Sequence, residues 1–371
     1  MKKRFAEFMV VTCICLFATV VRAQDPHFSM FYAAPQLMNP AMTGAFNGNY
    51  RISGIYRGQW ASVLRPNELD RQGTPTFRTY SASVDFRTQK GFIDKDAFGV
   101  GIVMEGDKAG AADFGTISVE ASLSYFKSLN YKATQYIAIG FQGGFMQRTI
   151  NTTKLCFGTN YDGVGCNPSL PTDPSLFNGF DDRFIMYDVN FGLLWFMKIK
   201  EASDAYVGFA MHHLNRPNES FIRGGNSVKA QVPFKFTGHG GVRIGINERF
   251  ALGPKFIVLY QGKQWETNFG TDARIHFNTR EPNGDGFSAG VMYRIVGGDI
   301  QAAYKDQAIN SESIILTAKI DWRGLSAGTA YDINIGEARY ASRSKGAFEI
   351  FASYQGSFKK RRSKTMFCPS W

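Results

Sequence analysis

The chain has 371 residues with a formal net charge of +11, rich in Gly (39), Phe (33) and Tyr (16), and a mean hydropathy of −0.21. A bundle of membrane helices would be far more apolar, and the near-absence of 3.6-residue periodicity argues against a helical soluble enzyme. Lys and Arg are dispersed, so with the export signal described next their excess points to a positive lumen or rim, with no nucleic acid as partner.

Lys2, Lys3 and Arg4 precede an apolar run from Phe8 to Val21 that ends in Val21-Arg22-Ala23. A basic start, a short apolar core and small residues before a cut make residues 1–23 a secretory signal peptide, cleaved after Ala23. The run is shorter than the ~20 residues of a spanning helix. Cys13 and Cys15 lie inside the run, which makes a poor lipoprotein site. Losing Lys2, Lys3, Arg4, Arg22 and Glu7 leaves a charge of about +8.

Residues 24–49 contain Pro26, Pro35 and Pro40, which break strands and helices alike. This irregular lead-in either lies in the periplasm or folds into a barrel mouth as a small plug. From residue 50 the chain alternates. Tyr50 to Arg57 leads into Gly58-Gln59-Trp60. Tyr80, Ala82, Val84 and Phe86 then oppose Ser81, Ser83, Asp85 and Arg87, and Phe98 to Gly106 follows. Ile117, Val119, Leu123 and Tyr125 oppose Ser118, Glu120, Ser122 and Ser124, and Gln135 to Arg148 repeats the pattern. After an interruption at 151–184 come Tyr187–Lys198, Ala205–His213, Phe234–Ile246, Phe250–Gln261 and Trp265–Phe277. Gly286–Arg294, Asp299–Lys305 and Ser313–Trp322 precede a terminal pair. In that pair Leu325, Tyr331, Ile333 and Ile335 share one face, as do Phe348, Ile350, Tyr354 and Phe358, with Phe351 the exception. Strand side chains alternate between faces, so each segment carries one apolar and one polar side.

These segments predict an all-β fold over residues 50–358, a transmembrane antiparallel β-barrel of about 14 strands with sixteen as the alternative count. The greasy faces meet outer-membrane lipid. Residues 359–371 form a basic tail in which Lys359, Lys360, Arg361, Arg362 and Lys364 are either solvated or touch an acidic partner or lipid head groups.

Reaction chemistry is sparse. Cys156 and Cys166 lie in the long interruption, and export favours a loop-closing disulfide over free thiols, with Cys368 left odd. His212 and His213 are adjacent and, on a strand, face opposite sides, so they cannot share a metal ion. There is no zinc-type Cys pairing, no nucleophile elbow and no phosphate loop, so no catalytic, metal or cofactor-binding residues are assigned.

Stretches at both ends of the chain resemble a known family. Gln24-Asp25-Pro26-His27-Phe28-Ser29, Leu37-Met38-Asn39-Pro40-Ala41 with Thr43-Gly44, and Tyr56-Arg57-Gly58-Gln59-Trp60 resemble the opening of PorP/SprF proteins. Tyr331-Asp332-Ile333-Asn334-Ile335 and Ser342 to Ile350 resemble that family's last strands. Phe367-Cys368-Pro369 is similar to its closing Cys-Pro, although Ser370-Trp371 replaces the usual Arg-Phe. The resemblance implies a bacterial outer-membrane barrel of the type IX secretion and gliding machinery of Bacteroidetes. It implies as partners a secreted cargo or adhesin with a C-terminal sorting domain and the periplasmic and lipoprotein components of the machine. It brings no catalytic residues and no cofactor, and it singles out Asn39, Pro40, Gly44, Arg57, Trp60, Asp332, Arg343 and Glu349. Their plainer roles are turns, an aromatic girdle and charge pairing in the lumen. The competing function is an outer-membrane diffusion or uptake channel for small solutes.

Overall fold

A computed structural model describes residues 25–60, 77–88, 95–110, 112–155, 159, 167, 179–200, 202–222, 230–277, 284–298, 309–358, 366 and 368–369. The alternating segments form fourteen antiparallel strands: β1 (Tyr50–Gln59), β2 (Phe77–Thr88), β3 (Ala97–Ala109), β4 (Phe114–Ser128), β5 (Gln135–Thr149), β6 (Arg183–Lys200), β7 (Ser203–His212), β8 (Lys235–Gly245), β9 (Phe250–Gln261), β10 (Gln264–His276), β11 (Gly286–Gly298), β12 (Ile309–Trp322), β13 (Leu325–Asn334) and β14 (Lys345–Gly356). Each pairs with its sequence neighbour, and β1 pairs with β14 from Tyr50↔Gly356 to Gln59↔Ala347, so the sheet closes and leaves no edge. The strands run from 10 to 18 residues, enough to cross a bilayer that needs ~9–11 per tilted strand. The sequence segment 299–305 lies outside the described residues.

The polarity of the barrel is inverted relative to a soluble protein. Ile52, Phe141 and Ile350 point outward at 55%, 53% and 52% exposure, while their strand neighbours Arg51, Gln142 and Glu349 are buried inside. Phe351, the break in the β14 alternation, turns inward and packs on apolar residues of the lumen. The longest connections, residues 60–76, 150–182 and 213–234, all leave one end of the barrel, whereas none at the other end exceeds residues 277–285. Bacterial barrels carry short turns on the periplasmic side and long loops outside, so β1 begins and β14 finishes at the periplasmic end.

The lumen is filled by the chain itself. Residues 25–49 form two short 3-10 turns (Phe31–Ala33 and Pro40–Met42) around one turn of helix (α1, Pro35–Met38), with Pro at the first position of α1 and of the second turn. Of the two placements open for this lead-in, the plug is the one observed. Phe28, Met30, Phe31, Met38 and Met42 are all buried, forming an apolar core with wall residues such as Phe126, Leu194, Phe196 and Ile315. A second helical turn, α2 (Ala338–Ser342), caps the outer connection between β13 and β14.

Candidate functional site

Burying charged side chains inside a barrel is costly unless each meets a partner, so the inward charges report where the plug is held. The densest cluster joins β1, β11, β13 and β14 to the plug. Arg57 donates from Nη1 to Glu349 Oε1 (2.5 Å) and from Nη2 to Asp332 Oδ2 (3.1 Å), and Arg294 Nη1 donates to the same Asp332 oxygen (2.9 Å). The plug enters between them. Ser29 Oγ donates to Asp332 Oδ1 (2.7 Å) while accepting from Arg57 Nη1 (2.7 Å) and Arg294 Nη2 (2.5 Å). The main-chain N–H groups of Ser29 and Met30 donate to the two oxygens of Glu349, at 2.6 and 2.8 Å. Every oxygen of both carboxylates is thereby occupied. His27 extends the cluster to Glu266 (2.8 Å), which also receives Arg294 Nε at 3.2 Å.

Two further contacts seat the middle of the plug. Asn39 caps the second 3-10 turn by accepting from Ala41 N (2.9 Å), and its amide Nδ2 lies 2.9 Å from Leu193 O, 3.3 Å from Phe209 O and 3.0 Å from His239 Nε2 on the wall. The approach is so close that a Cβ on Gly192 would stand 2.0 Å from Asn39 Oδ1. Gly44 adopts φ +78°, a left-handed conformation natural to glycine, and donates its N–H to Asp85 Oδ2 (2.7 Å). Arg51 holds that carboxylate at 2.9 and 2.6 Å and stacks over Phe46 at 4.8 Å.

At the outer end, His213 stands between two carboxylates, with Nδ1 3.0 Å from Asp188 and Nε2 2.7 Å from Asp25 of the plug. Both ring nitrogens donate, which requires the imidazolium form. Burial opposes that charge, but Asp25 and Asp188 outweigh it and hold the proton up to about 10. Burial likewise works against ionised Asp25, yet His213 and Lys235 hold its carboxyl well below the usual carboxylate range. The placement of His213 corrects the opposite-faces expectation. It follows the last residue of β7 with φ +61°, which swings its ring into the lumen beside His212, and the two ring centroids lie 6.5 Å apart. Among the described residues no group of three potential metal ligands forms.

At the periplasmic end Cys368 N donates to Asn47 Oδ1, and Asn47 Nδ2 donates to Cys368 O, both at 3.3 Å. The free Cys368 thiol accepts from Arg87 Nη1 at 3.0 Å, and burial pushes its pKa up. Met366 and Cys368 are buried, so the last described residues are anchored against the barrel. The basic residues 359–364, the signal segment 1–23 and the Cys156–Cys166 pair lie outside the described residues.

Of the eight positions singled out by resemblance, Arg57, Asp332 and Glu349 converge on one network, and Asn39 and Gly44 seat the plug, with Pro40 opening the turn that follows Asn39. Trp60 and Arg343 stand apart. Trp60 ends β1 at φ +58° with its ring edge-on to Phe77, and Arg343 closes α2 at φ +51°. Arg51, Asp85 and Arg294 were not singled out by sequence, and Ser29 and His213 were noted there without these roles. Their signal was present only as charged or hydroxyl residues on polar strand faces or in the plug.

The model of the type IX secretion system membrane protein PorP/SprF matches residues 20–354. The chain belongs to the PorP/SprF family. It is a multi-pass β-barrel of the bacterial outer membrane and a membrane component of type IX secretion. No curated protein matches this PorP/SprF chain. Among solved structures it is similar to the toluene transporter TbuX of Ralstonia pickettii, at 11% identity and a TM-score of 0.49, covering 87% of this chain and 93% of that one. A FadL homologue of Pseudomonas aeruginosa shows 11% identity and a TM-score of 0.45 over 87% and 94% of the two chains. BamA of Haemophilus ducreyi shows 10% identity and 0.43 over 83% and 71%.

Proposed function

We propose that this PorP/SprF barrel is a plugged docking element of the type IX machinery, supporting secretion and surface attachment of a cargo protein or adhesin with a C-terminal sorting domain. The observation that carries this reading is the filled lumen. Every third of the plug is fixed to the wall by buried polar contacts, so the barrel offers its outer mouth and long outer connections as a surface and not as a conduit. Cargo would be held at that mouth, while periplasmic and lipoprotein components of the machine meet the short turns and tail at the other end.

Deleting the gene and comparing surface and secreted proteins tests the reading. One or a few cargo proteins should be lost or shed while general secretion continues; unchanged display of every surface protein would overturn it. A small-solute channel has one observation in its favour, a cavity of about 590 Å³ at the outer end. Its floor, however, is the plug itself, through Phe28, Phe31 and Met38.

A further inference from the structure

The outer cavity is bounded by the plug below and by inward residues of strands β1 to β12 around it, and its charges do not balance. The cations on its walls are already engaged. Lys235 lies 3.4 Å from Asp25, His213 bridges Asp25 and Asp188, and Arg148 pairs with Glu219. Arg57 and Arg294 are held by Glu349, Asp332 and Glu266. Three carboxylates form no ion pair within 4 Å among the described residues, although Lys235, Arg148 and His213 act on Glu105, Asp107 and Glu120 from farther away. Glu105 has no hydrogen bond there, Asp107 accepts only from the Thr79 hydroxyl (2.7 Å), and Glu120 accepts only from the Asn190 amide (3.4 Å). Glu105 and Asp107 share one face of β3, and the register sets Glu105 against Ser118, two residues from Glu120 on β4.

A second observation is independent of these acids. His212 and Thr237 are 6% and 1% exposed, line the same cavity, and leave His212 Nε2 and Thr237 Oγ1 without a partner. Buried polar atoms are nearly always satisfied, so these two, with Arg148 Nε as a third orphan on the same lining, point to an absent group. The carboxylates Glu105, Asp107 and Glu120 leave the walls with acceptors to spare, and apolar side chains such as Phe31, Leu37 and Met146 line the same cavity. That combination fits an ammonium or guanidinium group on an aliphatic stem.

We propose that the outer cavity of this barrel receives a lysine or arginine side chain from the docked protein, held by Glu105, Asp107 and Glu120. The inference rests on the docking reading above and deepens it by giving the partner a required cation. It makes attachment directional, because the cavity lies on the outer side of the plug.

The purified full-length barrel in detergent is titrated with dansylcadaverine, an aromatic probe ending in a primary amine, and with the neutral dansylamide as control. Anisotropy should show saturable binding of the amine only, weakened roughly tenfold or more in Glu105→Gln/Glu120→Gln, since each lost charge-assisted bond is worth about that factor. The Glu105→Asp/Glu120→Asp variant should recover part of it, and retention of the heat-modifiable folded band controls for misfolding. Equal binding of amine and neutral probe, or of wild type and the Gln variant, would overturn the socket. In cells, the Gln variant should lose the same surface proteins as the gene deletion. If the deletion loses cargo and the Gln variant keeps it, the socket fails and docking stands; if neither loses cargo, docking itself fails.

Discussion

At the residue scale, the barrel is governed by which buried charges find partners. Removing one member of a buried ion pair strands the other, which costs about 3–5 kcal/mol. Glu349→Ala leaves Arg57 with Asp332 as its one acidic partner and strands two plug N–H groups, so its folded band should unfold at a markedly lower temperature in heat-modifiability gels. The double variant Arg57→Ala/Glu349→Ala should lose less than the sum of the single losses; strict additivity would mean the two side chains are not coupled. The His213 bridge has its own pH signature. Its folded value near 10 lies above the ordinary 6.5, so its stabilisation is complete below pH 6.5 and is lost as pH rises through about 10. Asp25 is displaced the other way, so its share is present above pH 3.8 and is lost as pH falls through its lower folded value. A ring titration of His213 by NMR should have its midpoint near 10, and a midpoint near 6.5 would refute the bridge. None of this pairing could be read from the chain. Arg57 and Glu349 lie 292 positions apart, and alternation says only that both face inward.

At the level of elements, the strands were legible because lipid outside and polar contacts inside impose a period of two on almost every segment. Even the break at Phe351 was visible, although what it packs against was not. The plug was legible only as a segment that could not be strand or helix. Three prolines exclude long strands and helices, although Pro35 and Pro40 each open a single helical turn, and they do not say where the segment lies. Its seat is set instead by close approach to the wall. Gly192→Ala places a Cβ 2.0 Å from Asn39 Oδ1 and should cost about 1–3 kcal/mol by overpacking, lowering the thermal transition without abolishing the barrel. An unchanged transition would show that the plug yields freely at this point. The C-terminal anchor predicts that the Cys368 thiol resists maleimide in the folded protein and reacts after boiling in SDS. Rapid labelling of the folded barrel would place the tail outside.

For the molecule as a whole, closure by β1 and β14 removes every sheet edge, and closure by residues 25–49 removes the pore. The two arise from different parts of the sequence, one from repeated alternation and the other from long-range polar contacts that only the fold brings together. On the docking reading proposed above, the second matters more than the first, because the plug leaves the barrel its outer mouth and loops to offer. Single-channel recording of the purified full-length protein in planar bilayers tests that claim most directly. The account predicts no stable conductance at neutral pH, and persistent open channels of uniform size would contradict it.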